Sequence, residues 1–169
     1  MNRTVIRWGA VVLVLSLAIG ATWQISERRA REREISDTLQ PVAALLVENR
    51  KIIHSLQSEG YADSESSILE SYLARIRKDG VPKYSAMKRN IDTLVNNNTA
   101  IMALLSKYTA RARTSGFSAG ADRYRDYSSA LRDRWQSVFE IFMAGGNLPQ
   151  AGPTMPAGME EALKKEMVE

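Results

Sequence analysis

The residues able to make or break bonds are few. The 169-residue chain has one histidine, His54, and no cysteine. Without thiols there is no disulfide framework, no thiolate nucleophile and no cysteine-ligated zinc or iron–sulfur centre. A lone imidazole has no second histidine to share a metal. His54 also follows the apolar position Ile53, so it is expected on the flank of a helix or in solvent, with no nucleophile turn beside it. The carboxylates are scattered: Glu65 and Glu70, or Glu160 and Glu161, have the spacing of solvated helix faces. A di-metal bundle would carry Glu-x-x-His pairs on facing helices, and the sequence has none. No phosphate loop, dinucleotide fingerprint or calcium loop occurs. The expectation is a protein that is not an enzyme and holds no cofactor or metal.

Two polar residues stand out for their place in the pattern. Asn49 and Asn98 each fall on a core position of an otherwise apolar repeat, and a buried amide must find partners or cost about 1–3 kcal/mol. Such residues specify register or oligomeric state. The alternative is a slightly rotated helix that leaves each amide at the rim. Asn97-Asn98-Thr99 also matches the glycosylation sequon, a chance match if the segment is helical.

The elements that must position these amides are legible in apolar residues recurring at alternating steps of three and four, the period of helices packed at shallow angles. One stripe is Ile35, Leu39, Val42, Leu46, Asn49, Ile53 and Leu56, interrupted at Pro41. That proline predicts a kink, or a fresh helix capped by Ser36 or Asp37. After a turn at residues 59–63, a shorter helix over 64–78 turns Ile68, Leu69, Tyr72, Leu73 and Ile76 inward. Gly80 ends it and Pro82 opens the next. The third stripe is Tyr84, Met87, Ile91, Leu94, Asn98, Ile101, Leu105, Tyr108 and Ala112. The fourth is Phe117, Ala121, Tyr124, Ser128, Leu131, Trp135, Val138 and Phe142, stopped by Gly145 and Gly146.

Three prolines and two glycines between Leu148 and Gly158 predict a flexible linker. Behind it comes a short amphipathic helix, with Met155, Met159, Leu163 and Met167 on one side; alone it is too short to be stable in water. Helices joined by short turns lie antiparallel to their neighbours. The fold expected is therefore all-α: an antiparallel helical bundle of three long helices and one short one, behind an N-terminal transmembrane helix. The third helix outruns the second, so part of its stripe is expected to need the fourth helix or a second chain. The domain organisation expected is a membrane anchor at 1–26, the bundle at 27–146, and the linker with its short helix at 147–169.

The anchor rests on Trp8 to Ser26, 19 residues without a charge. With Val5 and Ile6 the apolar span covers roughly 30 Å as a helix, a bilayer's hydrocarbon thickness. Trp8 and Trp23 sit near its ends, where indoles favour the headgroup layer. A cleaved signal peptide competes: a basic Met1–Arg7, an apolar Val11–Leu17 and small residues at Ala18 and Gly20. Lys and Arg counted alone, with Arg28, Arg29, Arg31 and Arg33 behind the segment, would turn the bundle toward the cytoplasm. A short basic head before an apolar run reads instead as a signal-anchor that exports the domain behind it. The localisation expected is the bacterial inner membrane, single-pass, with the bundle in the periplasm.

Charge narrows the partners. The formal net charge is +4 and the isoelectric point about 9.5. Setting aside Arg3 and Arg7 leaves 21 basic against 19 acidic residues, a net of +2, which is not a nucleic-acid footprint. Arg75, Arg77, Lys78, Lys83, Lys88 and Arg89 crowd the junction between the second and third helices. This patch would face anionic headgroups or a protein partner, each cation being worth about 1 kcal/mol near a lipid surface. The acidic turn of Glu59, Asp63, Glu65 and Glu70 is expected at the far end. A second basic group, Lys107, Arg111, Arg113, Arg123 and Arg125, flanks the distal turn. The expected partners are membrane lipids and another protein or a second copy. The function expected is a structural or accessory subunit binding another envelope protein. The alternatives are a periplasmic ligand-sensing bundle, a fold-level analogy, or a phage- or plasmid-encoded envelope factor.

Overall fold

The computed structural model describes residues 22–109, 112, 114–148 and 151–168. Most of the expected membrane anchor, Trp8 included, lies outside them. Among the described residues no helix is long and apolar enough to cross a membrane. The chain divides into two compact units, Met1–Asp37 and Thr38–Glu169.

In the first unit, residues 22–34 form α1. Its exposed Trp23 and Ile25 stand ahead of a mixed Arg/Glu stretch, within which Arg31 pairs with Glu34 at 3.9 Å. A π-helical turn, Ile35–Leu39, carries the chain across the unit boundary. It takes up the disturbance expected at Pro41, whose ring cannot donate a backbone bond and crowds the preceding turn. Neither Ser36 nor Asp37 caps a fresh helix: the residue before α2 is Leu39, in helical conformation and without a side-chain cap.

The second unit is all-helical. Its helices are α2 (Gln40–Ser58), α3 (Ile68–Asp79), α4 (Ser85–Tyr108), α5 (Ser115–Ala144) and α6 (Met159–Val168), with 3-10 turns at Glu65–Ser67 and Val81–Tyr84. Among its described residues there is no strand. The three-and-four spacing identifies the buried faces. Leu39, Val42, Leu46, Ile53 and Leu56 are buried from the first stripe, as are Tyr84 to Tyr108 from the third and Phe117 to Val138 from the fourth. Burying each such side chain is worth about 1.5–3 kcal/mol, and these faces hold the bundle closed. The third stripe, expected to need the fourth helix or a second chain, is covered within one chain: α5 packs on α4, and Leu94, Ile101, Leu105 and Tyr108 are all buried.

The pairing of helices departs from simple sequence-neighbour order. α2 packs on α4, α4 on α5, and α3 on α5. An aromatic cluster explains the last contact: Tyr72 of α3 meets Trp135 and Phe139 of α5, with ring centroids 5.3 and 6.4 Å apart. α4 and α5 run antiparallel, since Trp135 meets Asp92 near one end and Phe117 meets Tyr108 at the other. α5 ends at Gly145, whose φ of 68° gives the left-handed cap a glycine supplies.

Over its described residues 151–158, the Pro/Gly stretch expected to be a flexible linker is instead tied down. Gly152 N–H donates to Ser66 O at 2.7 Å, and Met155 N–H donates to Glu65 Oε1 at 2.8 Å. α6 docks on α5 and α2. Its buried face is Met159, Leu163 and Glu166, not Met159, Leu163 and Met167. The helix is rotated because Glu166 finds donors in the bundle.

Two glycines test this packing in opposite directions. A Cβ on Gly152 would lie 2.6 Å from Ser66 O, a backbone atom, whereas one on Gly120 would meet the flexible Met159 Sδ at 3.3 Å and Ala162 Cβ at an ordinary 3.8 Å. Gly152→Ala should cost about 1–3 kcal/mol in denaturant unfolding. Gly120→Ala should be neutral or stabilising by up to about 1 kcal/mol. Equal effects would contradict the docked path of residues 151–158.

Candidate functional site

Asn49 of α2 and Asn98 of α4 are 0 % and 1 % exposed, so neither amide sits at the rim. They meet. Asn49 Nδ2 donates to Asn98 Oδ1 at 2.7 Å and to the Tyr124 hydroxyl at 3.3 Å. Tyr124, from α5, donates in turn to Asn98 Oδ1. Three polar groups from three helices thus close a ring inside an apolar seam, each placed there by its own stripe. The Tyr124 hydroxyl is pushed well above its ordinary range, first by burial, so it stays a neutral donor.

Beside the ring lie buried polar atoms with no hydrogen-bond partner among the described residues: Asn49 Oδ1, Asn98 Nδ2 and the Tyr127 hydroxyl. Tyr127 is near enough to Glu65 and Asn98 to feel both while closing a hydrogen bond with neither. Burial, then the Glu65 charge, raises its pKa. Glu65 itself is raised above 4.5, mainly by burial, with the Met155 N–H opposing the shift. Glu65 therefore lies close to the Tyr127 hydroxyl while accepting the Met155 N–H.

A fully buried acid, Glu166, holds the far end of this C-terminal strap, residues 151–168. Glu166 Oε1 accepts the Tyr108 hydroxyl at 2.7 Å. Its Oε2 accepts Thr114 N–H at 2.9 Å and Thr114 Oγ1 at 2.6 Å. Arg50 pairs with Glu160 at 2.7 Å at the start of α6. Beside α6, over Leu46 and Arg50 of α2, lies an open cleft of about 610 Å³.

The basic residues are mostly occupied within the bundle. Arg77 donates to Asn147 Oδ1 at 3.0 Å and to the Gly146 carbonyl, closing the C-terminal end of α5. Lys83 pairs with Asp79 at 3.1 Å. The Tyr84 hydroxyl and then Lys83 hold the Asp79 carboxyl below its usual range, and Asp79 raises Lys83. Lys88 pairs with Asp92 at 2.7 Å and lies over the Trp135 ring. Arg75 donates to the Gly60 carbonyl and stacks near both Tyr61 and Tyr84. The turn at 59–63 is thus joined to the basic junction instead of lying at the far end, because α3 has only 12 residues. Lys78 and Arg89 are exposed.

In the distal group Lys107 and Arg123 are exposed, Arg125 pairs with Asp122 at 2.8 Å, and Arg111 and Arg113 lie outside the described residues. His54 is exposed. One Gly-x-Ser-x-Gly string does occur, Gly116 to Gly120, against the expectation of no nucleophile turn. It forms the first turns of α5 and not a strand-to-helix elbow. Among the described residues no group of three acids or histidines could hold a metal.

Sequence reasoning found Asn49 and Asn98 but missed Tyr124, Tyr127, Glu65 and Glu166. A phenol on a core stripe is the signal that would have found Tyr124, since a buried hydroxyl needs a partner.

Asn49→Leu or Asn98→Leu alone should each cost about 1–3 kcal/mol, because each strands the other members of the ring. The double substitution should cost less than the sum, by denaturant unfolding of both singles and the double. Strict additivity would contradict the ring. Because Glu65 has a raised folded pKa, its ionisation penalises the fold above that pKa. Stability should therefore rise as pH falls through the folded pKa toward 4.5. Glu65→Gln should remove that part of the slope in thermal melts across pH; an unchanged slope would contradict the burial of this carboxylate.

Neither a family model, nor a curated protein, nor a solved structure matches the chain.

Proposed function

We propose that the chain is a non-catalytic, single-pass protein of the bacterial inner membrane. Its helical bundle faces the periplasm and serves as a structural or accessory subunit that binds another cell-envelope protein. The observation that carries this reading is the run of 19 uncharged residues, Trp8–Ser26, behind a short basic head and ahead of a folded helical unit. Trp23 and Ile25, at the end of that run, are 63 % and 51 % exposed, which suits side chains meant for lipid or its interface. The binding role draws support from the bundle's acceptance of a short amphipathic helix, α6, on its α2 and α5 surface. That is the helix-in-groove mode by which many proteins take a partner.

One observation favours a second reading, a periplasmic ligand-sensing bundle. The 610 Å³ cleft beside α6 is within the size range of small-molecule sites. A thermal-shift screen separates the two, since a reproducibly stabilising small molecule would favour the sensor.

Fusing alkaline phosphatase or green fluorescent protein to the C-terminus tests the main reading. Phosphatase activity in the membrane fraction, at the size of the uncleaved chain, is the expected outcome. Fluorescence without phosphatase activity would reverse the orientation, and a soluble shortened product would replace the anchor with a cleaved signal.

A further inference from the structure

We infer that the surface under α6, formed by α2, α5 and the end of α4, is the bundle's partner-binding groove, and that α6 is its resident competitor. The occupant it fits is an acidic amphipathic helix of a partner protein, with an apolar residue, a second one four positions on, and a carboxylate three beyond that. The inference rests on the reading that this bundle binds a protein.

The chemistry of the seat specifies that helix. Among the described residues, the Tyr108 hydroxyl and the Thr114 N–H and Oγ1 converge on the two oxygens of Glu166. Such a cluster selects a carboxylate, because a neutral or apolar group would leave several donors unpaired. Two turns away, Arg50 meets Glu160. Alongside these polar clamps the bundle supplies an apolar track. Gly120 lies against Met159, whose Sδ a Cβ there would meet at 3.3 Å, and both Met159 and Leu163 are almost fully buried. The seated helix therefore presents Met159 with Glu160 beside it, then Leu163, then Glu166.

The resident helix fits this track incompletely. α6 has 10 residues, below the length at which an isolated helix holds together in water. Only Met159 and Leu163 are buried apolar side chains on it. Between α6 and α2 a cleft stays open, lined by Leu46 and Arg50 on one side and by residues 155–164 on the other, so α6 covers α2 incompletely. A longer helix making the same acid and apolar contacts over more of α2 and α5 would displace α6, which would be released on residues 151–158. As long as α6 stays seated, its tether gives it a high effective concentration that a weak ligand cannot beat. The strap thus sets an affinity threshold.

The probe is a labelled peptide of residues 155–169, titrated into the full-length chain in detergent micelles. A chain carrying Leu163→Asp, whose own α6 cannot seat, should bind the peptide at least about tenfold more tightly than the wild-type chain does. A peptide with Glu166→Gln should bind that chain about tenfold or more weakly than the wild-type peptide. If Leu163→Asp loses helicity by circular dichroism, Glu166→Gln in the chain serves in its place. A helical variant that ignores the peptide, or one that binds both peptides equally, would overturn the groove. Crosslinking in intact cells separates this from the broader reading. Peptide binding with no protein crosslinked at any face supports the groove and contradicts the envelope-partner function. A crosslinked partner with no peptide binding sinks the groove alone.

Discussion

Two amides and a phenol cannot enter an apolar seam unless they find one another, and the packing of α2, α4 and α5 is organised around that requirement. Sliding any one helix by a turn would leave Asn49, Asn98 or Tyr124 facing aliphatic side chains. A stranded buried amide costs as much as the loss of a well-packed methyl group or two. The apolar stripes alone do not discriminate so sharply, because leucines and isoleucines one turn apart are nearly interchangeable in a seam. In this bundle the aliphatic residues supply the bulk of the driving force, and the ring of Asn49, Asn98 and Tyr124 selects one register among several that would bury similar area. The remaining unpaired atoms, Asn49 Oδ1, Asn98 Nδ2 and the Tyr127 hydroxyl, extend the polar region toward Glu65.

The same rule governs the C-terminal strap. Its backbone has no sheet or long helix to satisfy it, so its polar groups bond to the bundle: Gly152 to Ser66, Met155 to Glu65, and Glu166 to Tyr108 and Thr114. Two buried or half-buried carboxylates therefore sit at the strap's two ends. Their hydrogen bonds fix where the segment docks, while Met159 and Leu163 supply its buried apolar area.

The helices and their inward faces were legible because a three-and-four beat in the sequence translates directly into one side of a rod. Asn49 and Asn98 were legible for the same reason, as breaks in an unbroken pattern. Tyr124 sits on an equally regular position but passes for apolar, since a phenol satisfies the pattern while hiding its hydroxyl. Periodicity also says which face is buried but not against what. The seating of α3 on α5 through Tyr72, Trp135 and Phe139 therefore could not be seen, nor could the choice between the fourth helix and a second chain as cover for the third stripe. Glu166 was invisible because an acid on a short helix is ordinarily solvated, and only the tertiary placement of Tyr108 and Thr114 makes it a core residue. The π-turn before Pro41 shows a smaller version of the same limit: the proline announced a disturbance, and the local backbone chose its form.

The functional proposal depends on this core in one respect. A bundle whose register is specified by a polar joint presents a fixed groove under α6, and a fixed groove is what makes recognition of a particular helix possible. Hydrogen exchange of the side-chain amides of Asn49 and Asn98, followed by NMR on the full-length chain in micelles, tests the joint most directly. Exchange of the Asn49 Nδ2 protons slowed to the rate of the most protected backbone amides of α2 and α4 is the result the account predicts. Exchange at the rate of an exposed asparagine would contradict it.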